Sequence, residues 1–159
     1  VTAFSDIQDD VFDWVINVLP DRAVQFENQN VRPPNSPYAT ILFSDISAMP
    51  YDVSTYDEIS GAQTLRNLSV LTVKLSIWDG AAMADASRLK ASVESDNRLL
   101  DLWANMGRAQ VTNVLDLTGE YLGRLRPRAE FSISGYATLS ETFAADCFDS
   151  VDYNIEDDK

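Results

Sequence analysis

Two stretches of sustained alternation set the architecture of this chain. Between Gln63 and Trp78, Leu65, Ser69, Leu71, Val73, Leu75 and Ile77 fall on one side, and Leu68, Val70, Thr72, Lys74, Ser76 and Trp78 on the other. Between Arg128 and Thr142, Ala129, Phe131, Ile133, Gly135, Ala137 and Leu139 share a face. Successive side chains of a strand point to opposite sides, so each stretch reads as a long strand with one face on a core. Strands of this length project past a compact core, and their bare edges invite pairing with another chain.

The rest of the chain supplies cover and further strands. Phe4, Ile7, Val11, Trp14, Val15 and Val18 recur at helical spacing, with Ser5 or Asp6 as N-cap and Pro20 after the end. Ala23 to Asn28 reads as a short strand and Tyr38 to Ser47 as a longer one, whereas Met49 to Gly61 is polar and turn-rich and reads as a surface excursion. Ala81 to Glu94 is helical, with Met83, Ala86, Leu89, Lys90 and Val93 along a stripe. A second helix, capped by Ser95 or Asp96, runs through Leu99, Leu100, Leu102, Trp103 and Met106 to Gly107. Ala109 to Leu117 reads as a strand and Thr118-Gly119 as a turn. Phe148, Val151, Tyr153 and Ile155 suit a late edge strand, inside an acidic C-terminal extension over residues 146–159. This order predicts a single α+β domain: a mostly antiparallel sheet with helices packed on one face.

Composition narrows the function. The chain has 159 residues, 45% of them hydrophobic, and one core of that size buries roughly 70% of the unfolded surface. No apolar run approaches the roughly 20 residues of a membrane helix, and the opening lacks a secretory signal, so the chain is expected to be soluble and made in a cytoplasm. It has no histidine and a single cysteine, Cys147. That removes the usual base of Ser and Cys hydrolases, the commonest zinc ligand and any intrachain disulfide. The net charge of -13 opposes a tight grip on nucleic acid, although a surface that DNA slides past is better acidic than sticky.

The motifs that resemble catalytic signatures do not assemble into one. Ser87-Arg88-Leu89-Lys90 and Ser95-Asp96-Asn97 match two penicillin-binding signatures, but they lie almost adjacent and the third element is missing. Pro20-Asp21 with Glu27 begins a nuclease-like pattern whose lysine position holds Gln29. Asp9, Asp10 and Asp13 fit a solvated helix face, and Gly119-Glu120-Tyr121-Leu122-Gly123 lacks the lysine and helix of a phosphate cradle. Trp14, Trp78 and Trp103 sit on apolar stripes and read as packing residues. No catalytic residue, cofactor or metal ligand is assigned, and the chain is read as no enzyme.

Two segments stand out instead. Arg32-Pro33-Pro34 and Pro37-Tyr38-Ala39-Thr40 make a stiff loop that opens directly into a strand, because proline fixes φ and constrains the residue before it. Arg124-Leu125-Arg126-Pro127-Arg128 is the one concentrated basic stretch, and its arginines are expected to answer carboxylates within the subunit or on a neighbour.

In their order and spacing, the proline loop and Arg126-Pro127-Arg128-Ala129-Glu130-Phe131 resemble the neck or tail terminator proteins of tailed bacteriophages. The resemblance runs from the first helix to about Leu139. It implies an α+β subunit of a ring, typically hexameric, at the top of the tail. Such a ring stops tube growth, joins the tail tube protein to the head-tail connector proteins and lets DNA pass through its lumen. It further implies a virion protein made in the host cytoplasm, with a subunit interface at Arg32, Pro33, Pro34, Pro37, Tyr38, Arg124, Arg126 and Arg128. Met49 to Gly61 and the acidic extension depart from the pattern. Three other readings remain: an acidic DNA mimic or inhibitor on a basic partner, a hydrolase with paired carboxylates, or, within a phage, a tail-tube or connector subunit.

Overall fold

The computed structural model describes residues 3–35, 37–95 and 105–144, and within them not the side chains of 50–52, 95, 108, 109 and 144. Helix α1 (Phe4–Val18) forms where the apolar spacing predicts. Its N-cap is Ala3 rather than Ser5 or Asp6. Alanine has no capping oxygen, and the Asp6 carboxylate compensates by accepting the Ala3 N–H at 3.0 Å. Strands β1 (Ala23–Phe26), β2 (Tyr38–Asp57) and β3 (Ala62–Trp78) precede helix α2 (Ala82–Ser95). Strands β4 (Gly107–Val111), β5 (Leu115–Asp116), β6 (Gly119–Tyr121), β7 (Arg124–Arg126) and β8 (Arg128–Ala144) follow it. The expected second helix lies mainly at residues 96–104, and the late edge strand and Cys147 lie beyond residue 144, all outside the described residues.

The main sheet runs β1-β2-β3-β8-β4, with β5 also on β8, while β6 and β7 pair separately. The chain is α+β, as expected, but the sheet is mixed and richer in strand than a simple helix-covered sheet. β1 pairs with β2 in parallel, whereas β2 with β3, β3 with β8, and β4 and β5 with β8 are antiparallel. The cause is the proline loop. Instead of closing a hairpin, it carries the chain back so that β2 leaves in the direction of β1.

One apolar cluster unites the elements. Ile7, Val11, Trp14 and Val15 of α1 and Ala82, Ala86 and Leu89 of α2 pack with Ala39 and Ile41 of β2, Leu71, Val73, Leu75 and Ile77 of β3, and Phe131 and Ile133 of β8. Along β3 the predicted alternation buries the odd-numbered residues from Ser69 to Ile77, whereas Leu65, nearer the far end, is exposed.

Met49 to Gly61 is not the surface excursion that its composition suggests. It is the outer half of β2, paired with β3 from Asp52↔Asn67 to Asp57↔Ala62 and closed by a turn over residues 58–61. Pro50 hides this strand from sequence reading. It falls in a register shift between Ala48 and Asp52, where no ladder hydrogen bond is required of it. The Asp57 carboxylate holds the turn by accepting the Ile59 N–H at 2.9 Å and the Ser60 hydroxyl at 2.7 Å. Those bonds, the Ser60 hydroxyl first, hold Asp57 below the ordinary carboxylate range.

Gly107 opens β4 rather than ending a helix, and the expected strand from Ala109 to Leu117 is split into β4 and β5. Gly135 makes room for that arrangement: a Cβ there would lie 2.6 Å from the Gly107 carbonyl oxygen and 2.8 Å from Met106 Cγ. Gly135→Ala is expected to cost about 1–3 kcal/mol by overpacking, read as a lower urea midpoint at unchanged slope. An unchanged midpoint would contradict that packing.

Candidate functional site

The register of the sheet brings the two punctuated segments together. Tyr38 at the start of β2 lies opposite Trp78 at the end of β3, and Trp78 lies opposite Arg128 at the start of β8. The proline loop, the end of β3 and the arginine stretch thus share one end of the sheet, its base.

Trp78 is the platform there. The Tyr38 ring stacks on it at 5.9 Å and 15°, and the guanidinium carbons of Arg128 and Arg126 lie 4.3 and 4.8 Å from its ring centre. Arg126 grips Asp79 with both arms, Nε to Oδ1 at 3.0 Å and Nη2 to Oδ2 at 3.2 Å, and donates to the Tyr38 hydroxyl at 3.1 Å. The Asp79 bond, above all, raises the Arg126 pKa further and keeps the guanidinium charged. Asp79 sits at φ 65°, a left-handed conformation that aspartate tolerates, and its N–H donates to the Pro127 carbonyl at 2.8 Å.

A second arginine clamps the same turn from inside. The Arg22 side chain is only 6% exposed. It donates from Nε to Asp85 at 2.7 Å, from Nη1 to the Trp78 carbonyl at 2.7 Å and from Nη2 to the Asp79 carbonyl at 2.9 Å. Sequence reading missed Arg22 because a lone arginine after a helix stop carries no pattern; its partners are 56 to 63 residues away.

On the outer side, Arg128 pairs with Glu130 at 2.9 Å. Glu130 also accepts the Ser76 hydroxyl at 3.1 Å and lies 3.7 Å from Lys74, which reaches Glu27 at 3.9 Å. Arg126 and Arg128 therefore answer carboxylates of their own chain. Arg32 and Arg124 are exposed and have no ion-pair partner among the described residues. In the loop, Pro33 and Pro37 are exposed and Pro34 half-buried, while Tyr38, where the loop enters β2, is buried.

Sequence reading also missed the β6–β7 hairpin, whose Gly119 to Gly123 resembles only a turn. Its two-residue loop has Leu122 at φ 51° and Gly123 at φ 75°, where asparagine or glycine is the favoured first residue. Leucine occupies that strained position with its side chain in solvent. Tyr121, Leu122 and Leu125 are 63, 87 and 78% exposed. Together with Asp79, Arg124 and Arg126 they line an open recess of about 460 Å³.

Of the catalytic look-alikes, Ser95-Asp96-Asn97 lies outside the described side chains. Ser87 is exposed on α2, while Lys90 turns to Glu94 at 3.9 Å and Asn113 at 3.4 Å. Asp10 accepts from Asn105 at 3.0 Å. Among the described residues no group of three His, Cys, Asp or Glu side chains could hold a metal, and no helix is long and apolar enough to cross a membrane.

What the base offers is a stiff proline loop, two arginines with no ion-pair partner among the described residues and an exposed apolar hairpin, an arrangement suited to docking on protein. Compared with known proteins, residues 5–157 match the family model described as phage neck terminator protein. No curated protein matches the chain.

Proposed function

Because the chain belongs to the phage neck terminator family, we propose that it is a single-domain structural subunit of the virion neck. Copies of it close into a ring, hexameric in number, that caps the tail tube, joins it to the head connector and lets the genome pass. The family match over nearly the whole chain carries this reading. The family is one of structural virion proteins, and the subunit works by shape, as no enzyme and without a cofactor.

Physical features support the assembly. A ring of identical copies needs a heterologous contact, one patch docking on a different patch of the next copy. The loop at Arg32, Pro33, Pro34 and Pro37, stiff because proline fixes φ, is a rigid patch of this kind, and it leads directly into Tyr38 of the stack on Trp78. At the other end of the sheet, β2 beyond Ile41 and β8 beyond Tyr136 have an unpaired outer edge among the described residues. Val53, Tyr56, Leu65, Leu68 and Phe143 are exposed near those edges. Such edges are templates for pairing with a neighbour. A net charge of -13 keeps duplex DNA from adhering to a lumen wall.

The test is tube growth. Tail tube protein polymerising in vitro is expected to stop at a fixed length when this chain is added at one end, with six copies per tube end by mass measurement. Continued elongation with the chain present would contradict the reading.

A further inference from the structure

We infer that the recess under the β6–β7 hairpin receives the acidic C-terminal segment, residues 146–159, of a neighbouring copy. This deepens the ring reading and rests on it for where the contact is used. The hairpin displays Tyr121, Leu122 and Leu125 to solvent, with Arg124, which has no ion-pair partner among the described residues, between them, and a leucine stands at a turn position that costs backbone strain. A recess lined by Tyr121, Leu122 and Leu125, with Arg124 beside the Arg126–Asp79 pair, suits a ligand that alternates apolar and acidic groups.

The chain carries one such segment. Residues 146–159 read Asp-Cys-Phe-Asp-Ser-Val-Asp-Tyr-Asn-Ile-Glu-Asp-Asp-Lys, in which six carboxylates interleave with or follow Phe148, Val151, Tyr153 and Ile155. The hairpin thus meets the apolar residues, and Arg124 meets the carboxylates.

Reach decides between a chain's own segment and a neighbour's. β8 spans 17 residues and pairs with β3 without a register shift, so its end at Ala144 stands about 50 Å from the base at the usual rise per residue. From Ala144 to Ile155 a fully extended chain covers at most about 40 Å. The segment therefore falls short of its own recess and fills that of the next copy. This is a head-to-tail contact, the geometry that generates a ring.

The probe is a fluorescein-labelled peptide of residues 145–159 with Cys147→Ser, titrated with the full chain and followed by anisotropy. Saturable binding is expected, weakened about tenfold by Arg124→Glu and by Leu125→Asp, and weakened by added salt. Both residues are exposed, so the variants are expected to keep the wild-type circular dichroism spectrum. Wild-type affinity in either variant, or no binding up to about 1 mM, overturns the inference. In the full chain, Leu122→Cys under mild oxidation should form a ladder of linked copies through the native Cys147. A ladder that survives added Cys147→Ser overturns it too. Capped tubes without peptide binding would remove this contact and leave the ring reading standing, whereas peptide binding without capped tubes would do the reverse.

Discussion

Arg22→Met should cost about 3 kcal/mol of stability, because it breaks a buried ion pair and strips two carbonyls of their donor in one step. Three donors of one guanidinium hold Asp85 on α2 and both carbonyls of the Trp78-Asp79 turn, within 2.7 to 2.9 Å. Methionine fills much of the volume and supplies none of the bonds. For a chain of this size the loss corresponds to a melting temperature lower by about 6–12 °C. Removing the stranded carboxylate as well should recover part of it, so Arg22→Met with Asp85→Leu is expected to be more stable than Arg22→Met alone. A double variant no better than the single one would mean that the carbonyl bonds, not the ion pair, carry the cost. A single variant as stable as wild type would contradict the clamp altogether.

Trp14→Ala should be the more damaging core change, at about 3–5 kcal/mol. Trp14 is fully buried in the cluster shared by both helices and the sheet, and its indole N–H donates to the Ser92 hydroxyl at 3.0 Å. Alanine leaves a cavity between α1, α2 and the sheet, while Trp14→Phe keeps most of the volume and loses the bond, for about 1–2 kcal/mol. On the same helix Ile16 is 39% exposed, and Ile16→Ala should shift stability by about 0.5 kcal/mol or less. Urea denaturation of the three variants reads the order directly, and equal midpoints for Trp14→Ala and Ile16→Ala would contradict the assigned core.

Much of this fold is legible in the sequence wherever burial is one-sided. Helix α1 follows from its apolar spacing, and β3 and β8 from alternation that fails only near their ends. The parallel placement of β1 is not legible, because four residues carry no record of which neighbour they pair with. The outer half of β2 is hidden because both of its faces meet solvent. No alternation is then imposed on it, and Pro50 and Asp52 look like turn residues. The split of β4 from β5 and the β6–β7 hairpin escape for a related reason: they are short, exposed and rich in the residues of loops.

The site was half legible. Prolines announce a rigid loop, and an arginine cluster in an acidic chain announces carboxylate partners; for Arg126 and Arg128 those partners proved to be Asp79 and Glu130 of the same chain. Trp78 reads as core from its place in an alternating strand, yet it is half-buried and serves as the platform on which Tyr38 and two arginines rest. What joins these residues is cross-strand register, which a single sequence does not spell out. Arg22 is the extreme case, a residue whose importance arises only from partners that the fold brings to it.

If this chain is a structural part of the neck, its position in the particle shows it directly. Electron microscopy of mature virions carrying a tagged copy should place the tag as a ring at the junction of tail tube and head connector. A tag absent from virions, or found elsewhere on the particle, would contradict it.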